Sequence, residues 1–353
     1  MKFLKHACIA FVAAVLSVGT ASAQTIHKIT LATGQPPVFP YIAMLRDYFV
    51  PEVDKRLAST QHRIQWTQAY SGTLMKIGSE VESVKDGLVD IGFVLLTNNE
   101  SKLPLHSFTY FAPFTSTDPA LTVKAFNQTQ KNVKALSDAW DKNNHVYLGS
   151  VAIESFNLYS KKPIKRVEDL KGMKIGVIGP NANWLRNTGA VPVTFQLASI
   201  YNDLQAGIFD GALLADSVAA ALKLHEAGPY RTQFDVGSFV FAALTVNKDK
   251  WNALPLEVRN IIMAVSQDYE TKVINEMRDK GRDGVAAMIK AGMTNIDPGL
   301  EGRRAWANLM PSLGLEFAEF RKDKAAGASQ VIPSYLSVVR EAGVQPLRDW
   351  AAK

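Results

Sequence analysis

Five histidines lie beyond the first residues of the chain: His27, His62, His106, His145 and His225. No two stand three or four residues apart and no H-E-x-x-H occurs, so no helix face offers a pair of zinc ligands. Nucleophilic acyl transfer would call for a G-x-S-x-G turn, and phosphate or dinucleotide binding for a P-loop or G-x-G-x-x-G; none is present. Gly172, Gly176 and Gly179 come near a glycine-rich loop, but the G-x-G pair is missing. The 33 Asp and Glu are plentiful, yet spacing pairs none of them into an acid–base dyad. The only cysteine, Cys8, lies in the opening apolar stretch. These residues give no positive evidence of catalysis, and no cofactor or metal is implied.

The elements that position side chains alternate. Residues 26–33 are a short β-prone run ending at a Gly-Gln-Pro-Pro loop, and residues 41–57 have helical spacing. Residues 64–68 alternate like a strand. Leu74, Ile77, Val81, Val84 and Leu88 recur at helical spacing, with Gly87 near the end. Residues 91–96 are continuously apolar, as in a buried parallel strand. A β-α-β-α-β order follows, which implies an α/β sheet. Asp118-Pro119 starts a helix running toward Trp140, and a second α/β unit occupies about residues 146–224. Residues 239–246 read as a strand returning to the first unit. Residues 256–290 read as one long helical region that Gly281 and Gly284 bend or split. The tail from Trp306 to Trp350 reads as helical, broken at Pro311, Gly314, Gly327 and Pro333.

The chain has 353 residues, enough for about two domains. With 47% hydrophobic and 20% charged residues it is of ordinary globular composition. Its formal charge of +6 is spread along the chain without a run of five like charges, which disfavours a nucleic-acid partner. Residues 1–23 have the form of a secretory signal peptide: Lys2, Lys5 and His6, an apolar run over residues 7–18, and Ala21-Ser22-Ala23 as cleavage box. The mature protein would begin at Gln24, hold no cysteine and sit in the periplasm.

Several motifs in order resemble one family. LATGQPP at 31–37 looks like an A-T-x-x-P-P opening. GTLMKIGSEVESVKDGLVD at 72–90 is similar to a G-x-L … G-x-x-D helix and turn. SKKPIKRVEDLKGMKIGV at 160–177 matches S-K-R-P-I-x-x-x-E-D-L-K-G-x-K-I-R-V almost throughout. LQAGIFDG at 204–211 looks like L-Q-x-G-x-V-D-G, and VNKDKWNAL at 246–254 like V-N-K-x-x-W-x-x-L. Over nearly the whole mature chain the protein resembles the solute-binding receptors of tripartite ATP-independent periplasmic (TRAP) transporters, of the dicarboxylate-binding type. The resemblance implies an α/β, two-lobed periplasmic binding protein with hinge strands and a long bracing helix. Residues 24–150 with about 240–296 would form lobe I, and 151–239 with about 297–353 lobe II. It implies closure on a small-molecule solute and delivery to the small and large TRAP membrane subunits, without turnover.

The departures from the family pattern concern charge. The arginine that the family places in its K-I-R-V strand to fork an organic acid's carboxylate is Gly176 here. A second family arginine falls in the region of Glu154, Ser155, Phe156 and Asn157, and the residues after Asp210-Gly211 are Ala212, Leu213 and Leu214. A buried carboxylate without its partner is costly, so a simple C4-dicarboxylate is disfavoured. A bulkier, less charged or partly aromatic compound is expected, a monocarboxylate among them. Arg186 either replaces the missing fork or is a solvated helix residue. Ligands in such sheets bind at strand ends. This nominates Gln35 and Phe39, with Tyr41 as contact or core; Tyr70; Thr97 and Asn98; Glu154 and Asn157 near the crossover; Asn181; Trp184 as stacking ring or core; and Asp216 as contact or helix cap. If Glu154 and Asp216 both face the cleft, the solute would carry an amine. A binding subunit for a sensor or chemoreceptor would have the same sequence features.

Overall fold

The structure is a computed structural model that describes residues 24–352; the signal segment and Cys8 lie outside the described residues. Eleven strands among these residues form two sheets. In chain order they are β1 (Thr25–Ala32), β2 (His62–Ala69), β3 (Ile91–Leu95), β4 (His145–Ile153), β5 (Phe156–Ser160), β6 (Lys174–Val177), β7 (Val191–Thr194), β8 (Gly211–Ala215), β9 (Tyr230–Thr232), β10 (Phe239–Asn247) and β11 (Thr294–Ile296). The first sheet has the order β2-β1-β3-β10-β4 and the second β11-β9-β5-β8-β6-β7. Each is mixed: β2, β1 and β3 run parallel, as do β7, β6 and β8, while β10 and β5 return antiparallel. β3 and β8 are buried at every residue, which explains their continuous apolar sequence: helices cover both faces.

Two adjacent chain segments cross between the sheets. One is Glu154-Ser155, between β4 and β5. The other runs over residues 233–238, between β9 and β10. They are tied side by side: the Phe156 amide donates to Gly237 O (3.2 Å) and the Val236 amide to Phe156 O (3.1 Å), and just beyond them Phe239 pairs with Ile153. Such a paired two-strand connection bends more easily than it stretches, which is what a hinge between lobes requires.

The helix Leu256–Lys290 is unbroken over 35 residues, so Gly281 and Gly284 do not split it. They lie instead where it meets the helix Asp216–Ala221. A Cβ at Gly284 would come within 2.4 Å of Ala220 Cβ, and one at Gly281 within 3.2 Å of Glu154 Oε1. Its first half carries Tyr269 against Phe49, which lies in the helical stretch between β1 and β2 of the first lobe. The long helix thus braces both lobes.

Other local expectations shift. Residues 71–78 form turns rather than helix, because Gly72 and Gly78 adopt φ of +75° and +88°; the helix there is only Glu80–Lys85. Asp118 does cap the next helix, accepting from the Ala120 amide at 2.9 Å, but that helix ends at Asn132 and a second spans Lys134–Lys142. In the tail, Pro333 lies inside the helix Ala328–Glu341 and Gly314 inside Leu313–Arg321. The lobe division also needs correction. β11 pairs with β9 in the second sheet. The helix Gly299–Leu309 stays with the second lobe, where Asn187 Nδ2 donates to Leu309 O (2.8 Å), but the last two helices return to the first: Tyr335 packs edge-on against Phe108, and Arg321 donates to Pro104 O. Packing assigned these segments, since their amphipathic sequences fit either lobe.

Candidate functional site

A cavity lies between the two sheets at the carboxyl ends of their parallel strands, where strand-end loops from both lobes meet. The first lobe contributes Gln35 and Tyr41 beyond β1; Leu95, Thr97 and Asn98 at the end of β3; Tyr110; and Phe241 of β10. The crossover contributes Ile153 and Phe156. The second lobe contributes Ile178 and Asn181 beyond β6, Leu197 beyond β7, Leu214 of β8 and Val218. The cavity volume is about 100 Å³. The walls nearly touch at one point, where a Cβ on Gly179 would lie 3.8 Å from that of Thr97. The lobes are therefore drawn together around a small space. Larger depressions of about 660 and 700 Å³ lie on the outer surface, beside β4 and around Phe320, away from the crossover.

The walls are aromatic and apolar with a few neutral polar groups, and no Arg, Lys or His lines the cavity. Tyr41 is held by stacking on Phe39 (5.5 Å) and Phe93 (5.8 Å) and by an edge contact with Phe241 (4.9 Å). Burial raises the phenol pKa of Tyr41 and Tyr110, so both keep an O–H to donate at neutral pH. Gln35 is fixed through its backbone: its amide donates to Thr33 Oγ1 (3.1 Å) and its carbonyl accepts from the Ser71 amide (3.1 Å). Its Oε1 is nevertheless buried without a partner, as is Asn181 Oδ1. Buried polar atoms are nearly always paired, so two such atoms on opposite walls of one cavity mark places for a guest.

Of the sequence-nominated residues, Gln35, Thr97, Asn98 and Asn181 line this cavity. Tyr41, left open between core and contact, lines it too. The others lie elsewhere. Phe39 stacks behind Tyr41. Tyr70 donates to Gln68 Oε1 at 2.6 Å on the outer side. Trp184 is fully buried; its ring stacks on Phe239 (4.6 Å) and its Nε1 donates to Tyr110 O (2.8 Å), so it joins the lobes behind the cavity. Arg186 does not replace the missing fork: it points to the surface, where its guanidinium grips Glu316 with both prongs. Asp216 is consumed by Arg231 (2.6 and 2.8 Å), by the Tyr159 hydroxyl (2.6 Å) and by Asn157 Nδ2 (3.1 Å), which also accounts for Asn157. Glu154 stands just behind the wall, between lining residues Ile153 and Phe156, and its Oε1 accepts from the Ser217 amide at 2.5 Å.

Gly176 has a packing reason to be glycine. A Cβ there would lie 3.0 Å from Phe195, 3.2 Å from Phe209 and 3.2 Å from Ala212 Cβ. The space that a longer side chain would need is filled by two aromatic rings. Sequence reasoning missed Leu95, Tyr110, Ile153, Phe156, Ile178, Leu197, Leu214, Val218 and Phe241. All but Tyr110 are apolar at or near strand ends, and nothing in the local pattern separates such a residue from core. Among the described residues, no three His, Cys, Asp or Glu converge to hold a metal, and no helix is long and apolar enough to cross a membrane.

Residues 48–319 match the family model described as bacterial extracellular solute-binding protein, family 7. The chain is 25% identical over 257 residues to a solute-binding protein of Albidiferax ferrireducens, a match covering 70% of this chain and 73% of that protein. It is 29% identical over 163 residues to the C4-dicarboxylate-binding periplasmic protein of Rhodobacter capsulatus, covering 44% of this chain and only 48% of that one. Among solved structures, a TRAP solute-binding protein from Rhodoferax ferrireducens in complex with copurified benzoate superposes with a TM-score of 0.77 at 21% identity, covering 90% of this chain and 98% of that one.

Proposed function

The chain belongs to family 7 of the bacterial extracellular solute-binding proteins, and on that premise we propose that it is a periplasmic receptor that captures a compact organic monoacid with a planar, apolar body. It is a solute-binding receptor of the TRAP type; its handing of that solute to the small and large membrane subunits of a transporter is part of the same reading. One observation carries the choice of solute: the cavity is walled by Tyr41, Tyr110, Phe156 and Phe241, with neutral amides and hydroxyls between them and no cation. Aromatic rings suit a flat apolar guest. Neutral donors can hold one carboxylate, whereas two carboxylates without a guanidinium would be strongly destabilised. The structural neighbour that copurified with benzoate supports a solute of this size and shape.

A second reading, an amine-bearing solute, has one observation in its favour: Glu154 Oε2 is buried without a partner. Thermal-shift measurements on the mature protein separate the two. Benzoate and other aromatic monoacids should raise the melting temperature, by an amount that grows with concentration above Kd. Succinate, malate, aliphatic keto acids and benzylamine should raise it little. Strong stabilisation by succinate or malate alone would overturn the monoacid reading.

A further inference from the structure

Glu154 occupies the point where the moving parts meet. It follows β4 in the crossover, its Oε1 takes the Ser217 amide of the second lobe at 2.5 Å, and that oxygen also lies against the long helix, 3.2 Å from where a Cβ on Gly281 would stand. The residue is 8% exposed and Oε2 is sealed from solvent with no donor. The groups facing it add no positive charge. From the helix Asp216–Ala221 comes Asp216, paired with Arg231 of β9, whose negative charge still adds to the cost of ionising Glu154. From the first lobe comes the Tyr41 phenol, and from the long helix Gly281. A carboxylate here would face a cation-free cavity across a single layer of side chains.

We propose that Glu154 is the charge gate of the cavity: carrying its proton, it lets the closed site accept an anionic solute, and ionised, it excludes one. This rests on the acid-binding reading above, and it makes the solute and a proton bind together. A neutral cavity with no cation holds one negative charge more easily than it holds two. The proton on Glu154 therefore does the work that an arginine would otherwise do, without forming a contact with the solute. Burial, opposed only in part by the Ser217 hydrogen bonds, pushes the carboxyl up to about 7 from its ordinary 4.5, so the proton is present on the acid side of neutrality.

The sign is opposite to that of a salt-bridged carboxylate. The folded protein keeps this proton where the unfolded chain has lost it. Stability therefore falls as pH rises from about 4.5 to about 7, and the whole cost is present above that. Titration calorimetry with benzoate, which is ionised throughout, should show affinity falling by up to about tenfold between about pH 6 and about pH 8, with proton uptake on binding. Glu154→Gln should bind benzoate with no such slope and no proton uptake. Equal slopes in both proteins would overturn the gate. If benzoate fails to bind at all, the monoacid reading falls, and the unliganded proteins still decide the gate. The melting-temperature advantage of Glu154→Gln over the native protein should grow between about pH 5 and about pH 8; an advantage that stays constant overturns the proposal.

Discussion

At the scale of single residues, the site is defined by what its charged groups are already bound to. Arg186 is the nearest thing to an acid-binding fork that the second lobe's loop offers, and Glu316 holds it. Its side chain is 44% exposed, so Arg186→Ala should cost no more than about 1 kcal/mol in urea denaturation and leave solute affinity unchanged in calorimetry. A large loss of affinity would return Arg186 to the site. Asp216 and Arg231 neutralise one another in the same way. That pairing was invisible in the sequence because 15 residues separate the two, and Asp216 read alone is a candidate contact. The amides fared better: Gln35, Asn98 and Asn181 were legible because a polar residue directly after an apolar strand has few places to point except into the strand-end cleft. Gly176 was legible as the absence of a fork. Its reason, the rings of Phe195 and Phe209, was not.

At the scale of elements, the long helix shows where periodicity succeeds and where it stops. Its span, Leu256–Lys290, could be read directly, because buried positions such as Val258, Ile262, Val265 and Tyr269 recur at three and four residues. Gly281 and Gly284 read as breaks, since glycine costs about 1 kcal/mol in a helix interior. In the folded protein they are contact points, Gly281 against Glu154 and Gly284 against Ala220, whose closeness leaves no room for a side chain at Gly284. Gly284→Ala should therefore destabilise by about 1–3 kcal/mol through overpacking, despite its better helix propensity. Urea denaturation checks this, and a more stable variant would show that the contact is loose. The turns over residues 71–78 are the converse case. Leu74 and Ile77 fit the helical spacing of Val81 and Val84, but Gly78 at φ +88° interrupts it.

At the scale of the whole molecule, the two sheets are joined by paired crossover segments and by aromatic rings packed behind the cavity. Trp184 is the centre of that packing, between Tyr110, Phe156 and Phe239, with its carbonyl taking the Trp306 indole N–H at 2.7 Å. Trp184→Ala should cost about 3–5 kcal/mol, seen as a lower urea midpoint, and should weaken closure on solute as well. A change below about 1 kcal/mol would mean that the lobes are held together elsewhere. The α/β class, the two successive units, the bracing helix and the family were all determined by the sequence alone. Each depends on local periodicity, on glycine and proline punctuation, and on short ordered motifs, which are properties of neighbouring residues. Only the tertiary structure decided that the last two tail helices return to the first lobe, that Trp184 is a brace, and that the cavity is ringed by apolar residues read as core. It also decided that Glu154 has no cationic partner while Asp216 has one. Those outcomes depend on which distant side chains meet, and a buried charge or an orphaned oxygen is a property of the partners that folding supplies.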